Sequence, residues 1–221
     1  FFKKQKIPVF VSEHSVTYGL SEMSRHFVKD HSYLLTSDYA IFYNNSSRYI
    51  YEKSPKRPTG FVAGAPSINK NINLKKLQRA LTKRLLNIPK NDRFIVYVAN
   101  LYSNNHIYNP GLPNDYYYHS LKKCVVYDIL GALKELCLLK LYPTHRYLDD
   151  DPFLNFMKLP LNVRVIQYFE YRYLRAVGDV IICDSPQSTI GWAWSSRVPL
   201  LFLDLPSNPL LPEVAEAFDQ A

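Results

Sequence analysis

The chain has 221 residues, 47% of them apolar and 14% aromatic, a composition that fills a substantial buried core and excludes a disordered chain. Its net charge of +8 is uneven: residues 1–90 carry 16 Lys/Arg against 5 Asp/Glu, and residues 91–221 carry 11 against 14. A basic first segment attracts nucleic acid, anionic lipid or phosphorylated small molecules without choosing among them.

No apolar run approaches the roughly 18–20 residues of a membrane-crossing helix. Cys124, Cys137 and Cys183 lie in apolar settings with no CxxC or Cys/His metal spacing, which predicts buried free thiols in a reducing compartment, the cytoplasm. The opening Phe1-Phe-Lys-Lys-Gln-Lys starts inside an element, and residues 213–221 read as part of a helix, so the chain is expected to be a fragment of a longer protein.

Residues 7–12, Ile-Pro-Val-Phe-Val-Ser, predict a strand with Pro8 near its start, since proline cannot donate within a central ladder. Glu13 and His14 follow in a polar loop. His14 suits a general base or a phosphate-binding imidazole, and equally a loop histidine bonded to backbone. Residues 41–43 and 48–52 are expected to be short extended elements, and residues 61–66, Phe-Val-Ala-Gly-Ala-Pro, a strand running into a turn at Gly64. Residues 74–86 carry Leu74, Leu77, Leu81 and Leu85 with Lys and Arg between, an amphipathic helix with its leucines toward the core and its basic face toward solvent.

From residue 93 the pattern becomes β-α-β-loop-β-α-β-α-β. Residues 93–99, 137–142, 163–167, 180–183 and 198–203 are apolar runs rich in β-branched residues, with helices expected over 117–134, 169–177 and 190–196. Such alternation means a parallel sheet with right-handed crossovers. The loop 100–118 is long, and Tyr116, Tyr117 and Tyr118 suit either stacking on a ring or covering an apolar face.

Ligands in such a sheet bind outside the carboxyl ends of the strands. Two stretches fall there. Lys140, His145 and Arg146 meet at one strand end as a phosphate-site candidate or as plain surface cations. Ser185, Ser188 and Thr189 lie between a buried strand and a helix start, where they suit helix capping or, with the helix N–H groups, a bound phosphate. Asp149-Asp150-Asp151 is not read as a metal site, because consecutive loop carboxylates do not converge on one ion; an aspartate before Pro152 is a natural helix cap. No GxGxxG, Walker or GxSxG pattern occurs, which argues against nicotinamide, P-loop and α/β-hydrolase chemistry.

The succession of Ile7-Pro-Val-Phe-Val-Ser-Glu-His, Ser37-Asp before a strand, Phe61-Val-Ala-Gly-Ala-Pro, Lys140-Leu-Tyr-Pro and Asp179-Val-Ile-Ile-Cys-Asp-Ser-Pro-Gln-Ser-Thr with Val198-Pro resembles glycosyltransferase-B class enzymes, in particular bacterial surface-carbohydrate and CDP-glycerol glycerophosphotransferase-like transferases. The resemblance implies an α/β fold of Rossmann-like parallel sheets with flanking helices, the first domain incomplete. Residues 1–89 would be the end of an acceptor-side domain with its connector, and residues 90–221 a donor-nucleotide-binding domain.

It further implies a metal-independent transferase in polysaccharide biosynthesis, with no cofactor beyond a nucleotide-sugar or CDP-linked donor and with a saccharide or lipid-linked acceptor. His14, or Glu13 beside it, would be catalytic, and Lys140, His145, Arg146, Ser185, Ser188 and Thr189 would hold the donor. The sequence differs from the related pattern in Glu-His-Ser at the histidine loop and in Gly191, Trp192 and Trp194 where a ribose-binding carboxylate is common. The alternatives are a basic nucleic-acid or anionic-membrane binding module and an inactive nucleotide-binding relative. With the transferase reading, no nucleic acid is expected as partner, and peripheral association with the inner membrane face is compatible with the charge.

Overall fold

The computed structural model describes residues 7–13, 19–22, 37–52, 59–64, 75–99, 115–142, 151–156, 158–175, 177–186 and 188–220. The chain divides into two compact units. One comprises residues 1–70, 186–191 and 208–221, the other residues 71–185 and 192–207.

The first unit carries three short strands, β1 (Phe10–Ser12), β2 (Tyr39–Phe42) and β3 (Thr59–Val62), in the order β1-β2-β3 with both pairings parallel. Helix α1 (Asn45–Glu52) lies between β2 and β3. Residues 48–52, expected to be extended, are therefore helical, and the reason is local. Asn44 Oδ1 accepts the Ser47 amide at 2.7 Å as a cap, and Arg48 reaches Glu52 one turn on at 2.6 Å.

Ala40, Phe42 and Tyr51 form a small buried cluster with Val11 against it. Gly64 has φ +73°, the left-handed conformation that the turn after β3 requires. The chain returns to this unit near its end: Ser21 bridges Leu210 in antiparallel fashion, the Leu211 amide donates to Leu20 at 2.9 Å, and helix α7 (Pro212–Asp219) follows.

The second unit begins with α2 (Lys75–Leu85) and is built on five parallel strands: β4 (Phe94–Val98), β5 (Leu136–Lys140), β6 (Val163–Ile166), β7 (Val180–Cys183) and β8 (Leu200–Phe202). Their order is β6-β5-β4-β7-β8. The chain runs outward from β4 to β6, then returns to β4's other side, which makes the β4/β7 junction a topological switch point.

Alternation along β4 feeds both faces. Phe94, Val96 and Val98 enter one cluster with Leu138, Ile181, Cys183 and Ala193, while Tyr97 and Ala99 enter the other with Leu139, Val125, Val126 and Leu130. Burial on both faces is why these strands read as unbroken apolar runs. Gly178 lies against β4, where an added Cβ would meet Val96 Cγ2 at 2.8 Å.

The crossover from β4 to β5 is helix α3 (Asp115–Lys123), continued by a π-helical turn (Cys124–Ile129) and a 3-10 turn (Leu130–Ala132). The helix begins at residue 115, two residues before the expected start at 117, with Tyr118 buried and Tyr116 exposed. Helix α4 (Pro152–Phe156) starts from Asp151, whose Oδ1 accepts the Phe153 amide at 2.9 Å as the expected cap. Helices α5 (Tyr171–Leu174) and α6 (Ser188–Ser196) precede β7 and β8.

Two further expectations fail. Cys137 and Cys183 are buried free thiols, but Cys124 is exposed, because it sits on the outer side of the π turn whose buried residues are Val125 and Val126. The orientation of α2 is also reversed. Leu77, Leu81 and Leu85 are exposed, while Lys83 is buried and Arg79 half-buried. The cause is specific pairing: Lys83 donates to the carbonyls of Lys90 and Asp92, and Arg79 pairs with Asp179 at 2.6 Å, both cations lying over the Phe94 ring.

Candidate functional site

In the second unit the candidate site is the carboxyl edge of the five-stranded sheet. Its register sets Ile166, Lys140, Val98, Cys183 and Phe202 in one row across β6, β5, β4, β7 and β8. Lys140 and Cys183 are therefore two strand spacings apart, about 10 Å, with β4 between them. Asp184 and Ser185 follow Cys183 directly, at the switch point.

Lys140 is 2% exposed, and its amine donates to the Leu141 carbonyl. Burial lowers its pKa to about 8, against the opposing pull of the Glu170 carboxylate. It still carries its proton for most of the time at pH 7. Ser185 is buried; Ser188, exposed, and Thr189, half-buried, stand on the first turn of α6 and belong to the first unit. His145 and Arg146 lie outside the described residues, so among the expected donor-site groups of this unit the structure sets Lys140 and Ser185 on one sheet edge.

Behind Ser185 lies a buried polar network that the sequence reading did not single out. The Tyr97 hydroxyl donates to Asp184 Oδ2 at 2.6 Å. Lys122 pairs with Asp151 at 3.1 Å, and its ammonium is over the Phe153 ring. Burial lowers the Lys122 pKa, opposed by the nearby charges of Asp151, Asp184 and Asp115. Asp184 is thus held by the Tyr97 hydroxyl where the strand gives way to the loop, with the Lys122 charge within electrostatic reach. The signal for Lys122 was present in the sequence: it falls between Tyr118 and Val126 on the helix stripe that is otherwise buried.

In the first unit, Glu13 stands at the carboxyl end of β1 and is 3% exposed. Its Oε2 accepts the Tyr43 amide at 2.7 Å, and the Ser47 hydroxyl bonds the same side chain, so the carboxyl ties the end of β1 to the turn between β2 and α1. Its Oε1 has no hydrogen-bond partner among the described residues. Burial pushes the pKa up to about 7, against the hydrogen bonds from Ser47 and Tyr43. A carboxyl balanced near neutrality can accept or release a proton at physiological pH. His14 lies outside the described residues.

Among the described residues no group of three His, Cys, Asp or Glu side chains converges as a metal site, and no helix is long and apolar enough to cross a membrane.

The sequence matches no protein-family model and no curated protein. Among solved structures, the chain is similar to UDP-N-acetylglucosamine 2-epimerase from Rickettsia bellii, with 16% identity and a TM-score of 0.51 over 99% of this chain and 59% of that one. It is also similar to the glycosyltransferase SnogD from Streptomyces nogalater (13% identity, TM-score 0.43, 98% of this chain and 59% of that one). A third similarity is to KpsC, the beta Kdo 2,4 transferase of Thermosulfurimonas dismutans (12%, 0.36, 89% and 79%). The chain spans 59% of the length of the first two. At these identities the likeness is one of fold, and the fold is α/β with parallel sheets and flanking helices, of the glycosyltransferase-B type.

Proposed function

We propose that the chain belongs to a transferase that moves a sugar or phospho-alcohol group from a nucleotide-activated donor to an acceptor hydroxyl in bacterial surface polysaccharide biosynthesis. The observation that carries this reading is the strand order β6-β5-β4-β7-β8, with Asp184 and Ser185 following β7 at the switch point of the sheet. The donor phosphates are bound by Ser185, Ser188, Thr189 and the N–H groups at the start of α6, with Lys140, His145 and Arg146 adding positive charge.

A departing phosphate gains negative charge in the transition state, and helix-end dipoles with fixed cations stabilise that charge. Tyr97 and Asp184 position the loop that carries these donors. His14 or Glu13 takes the proton from the acceptor hydroxyl. Glu13 is suited to this by its pKa of about 7, above which it is chiefly the carboxylate that a base must be.

The test is a thermal-shift screen against CMP, CDP, UDP, GDP and ADP, with a short RNA at two salt concentrations alongside. One nucleotide is expected to raise the melting midpoint selectively, because a ligand that binds only the folded state stabilises it by mass action. Ser188→Ala combined with Thr189→Ala is expected to weaken that nucleotide about tenfold, the loss of one to two hydrogen bonds to a charged group. The absence of any nucleotide shift, or a salt-sensitive response to RNA alone, would sink the transferase reading.

A further inference from the structure

Helix α2 presents its apolar side to water. Leu77, Leu81 and Leu85 recur at every fourth position and are 58%, 50% and 67% exposed, so they form one stripe along the helix. The side that meets the unit is cationic: Lys83 is fixed by the Lys90 and Asp92 carbonyls, and Arg79 by Asp179. An amphipathic helix whose only task is to cover a core shows the opposite orientation.

The surroundings of the stripe are positive. Residues 75–93 hold seven Lys/Arg and one acid, Asp92. Of these cations, Arg84, Lys90 and Arg93 are exposed, and Arg84 falls beside Leu77 and Leu81 on the helix surface. Helix α5 packs next to α2 and adds Tyr173, 56% exposed, with the Arg172 guanidinium 4.9 Å from its ring centre. Asp179 is engaged with Arg79 and Glu170 with Arg172, both at 2.6 Å, and Asp92 stands exposed between the cations Lys90 and Arg93.

We propose that α2 seats the chain on an anionic phospholipid bilayer. The helix lies in the plane of the surface, Leu77, Leu81 and Leu85 enter the boundary between headgroups and acyl chains, and Arg84, Lys90 and Arg93 meet lipid phosphates. At 11 residues the helix is far too short to span the bilayer. The charge selects this occupant. Apolar contact with a second copy would bring two positive rims together, whereas an anionic surface is complementary to the rim and apolar beneath it. The proposal stands apart from the donor chemistry, since no residue in it is assigned to donor binding.

Cosedimentation of the whole chain with vesicles tests it, using phosphatidylcholine alone and phosphatidylcholine containing about one third phosphatidylglycerol. The chain is expected to pellet with the anionic vesicles and not the neutral ones, and less as salt is raised. L77S/L81S/L85S is expected to weaken binding at least about tenfold with an unchanged melting midpoint, because exposed positions lose little packing. R84Q/K90Q/R93Q is expected to weaken it several-fold through the charge alone and decides the matter if the leucine variant does not fold. Failure to bind anionic vesicles, equal binding to neutral vesicles, or wild-type binding by both variants would overturn the proposal. So would a dimer that the leucine variant converts to a monomer in the absence of vesicle binding.

Discussion

In the three-stranded sheet a single buried carboxyl, Glu13, has the Tyr43 amide and the Ser47 hydroxyl as partners, whereas the five-stranded sheet buries Lys122 against Asp151 with Asp184 and Asp115 within electrostatic reach. Both groups lose most of their hydration. Neutral hydrogen-bond donors leave burial dominant at Glu13, and its pKa rises to about 7. At Lys122 burial also lowers the pKa, but several carboxylates oppose it. A buried ion that has a countercharge remains an ion and depends on its partner; one that has dipoles alone is half-neutralised and adjusts to pH.

The largest effect is expected where the countercharge is removed. Lys122→Ala leaves Asp151 without its cation and should cost about 3–5 kcal/mol in urea unfolding. A loss under about 1 kcal/mol would mean that water already solvates the pair.

Glu13→Gln removes the ionisation at the other site. Glu13 binds its proton more tightly in the folded chain than in the unfolded one, so its contribution to stability is fully present below pH 4.5 and is lost as pH rises to about 7. Wild type and variant should therefore melt together near pH 4.5. Above pH 7 the variant should be more stable by about 3 kcal/mol, if its amide keeps the existing hydrogen bonds. Parallel stability curves across this range would place Glu13 in water and erase the contrast.

The smallest effect belongs to a pair that has both countercharge and solvent. Arg79 and Asp179 meet at 2.6 Å with side chains 35% and 29% exposed. Burial acts to raise the Asp179 pKa, but the hydrogen bonds from Arg79 and the Phe94 amide, with the charges of Arg79 and Lys83, hold it below the ordinary carboxylate range. Arg79→Ala should cost at most about 1 kcal/mol, and less in high salt. A salt-independent loss would point instead to the guanidinium packed over Phe94.

The strands of the larger sheet were legible because two buried faces leave an unbroken apolar run, as at Val180–Cys183. The edge positions of Lys140 and Ser185 followed from where those runs stop. What periodicity could not supply was the side of a helix that its own unit accepts. The stripe at Leu77, Leu81 and Leu85 is plain in the sequence, but its orientation depends on the Arg79–Asp179 contact across 100 positions. The stripe through Tyr118, Lys122 and Val126 marked Lys122 as inward-facing, but its partner Asp151, 29 positions away, is disclosed only by the fold. The Tyr97–Asp184 bond spans 87 positions, and only tertiary pairing discloses it. Residues 45–52 were missed because the evidence for helix there is a polar cap and an ion pair rather than an apolar stripe.

The return of the chain to the first unit through Leu210, Leu211 and α7 bears on the order of synthesis. A ribosome delivers β1, β2 and β3 first, yet the segment that pairs with Leu20 and Ser21 emerges only after β8. All five strands of the larger sheet are available by residue 202, while the first unit still lacks residues 208–221. Of the two units, the one whose strands are made first is therefore the one completed last, and during translation it waits for residues 208–221 after the strands of the other have emerged.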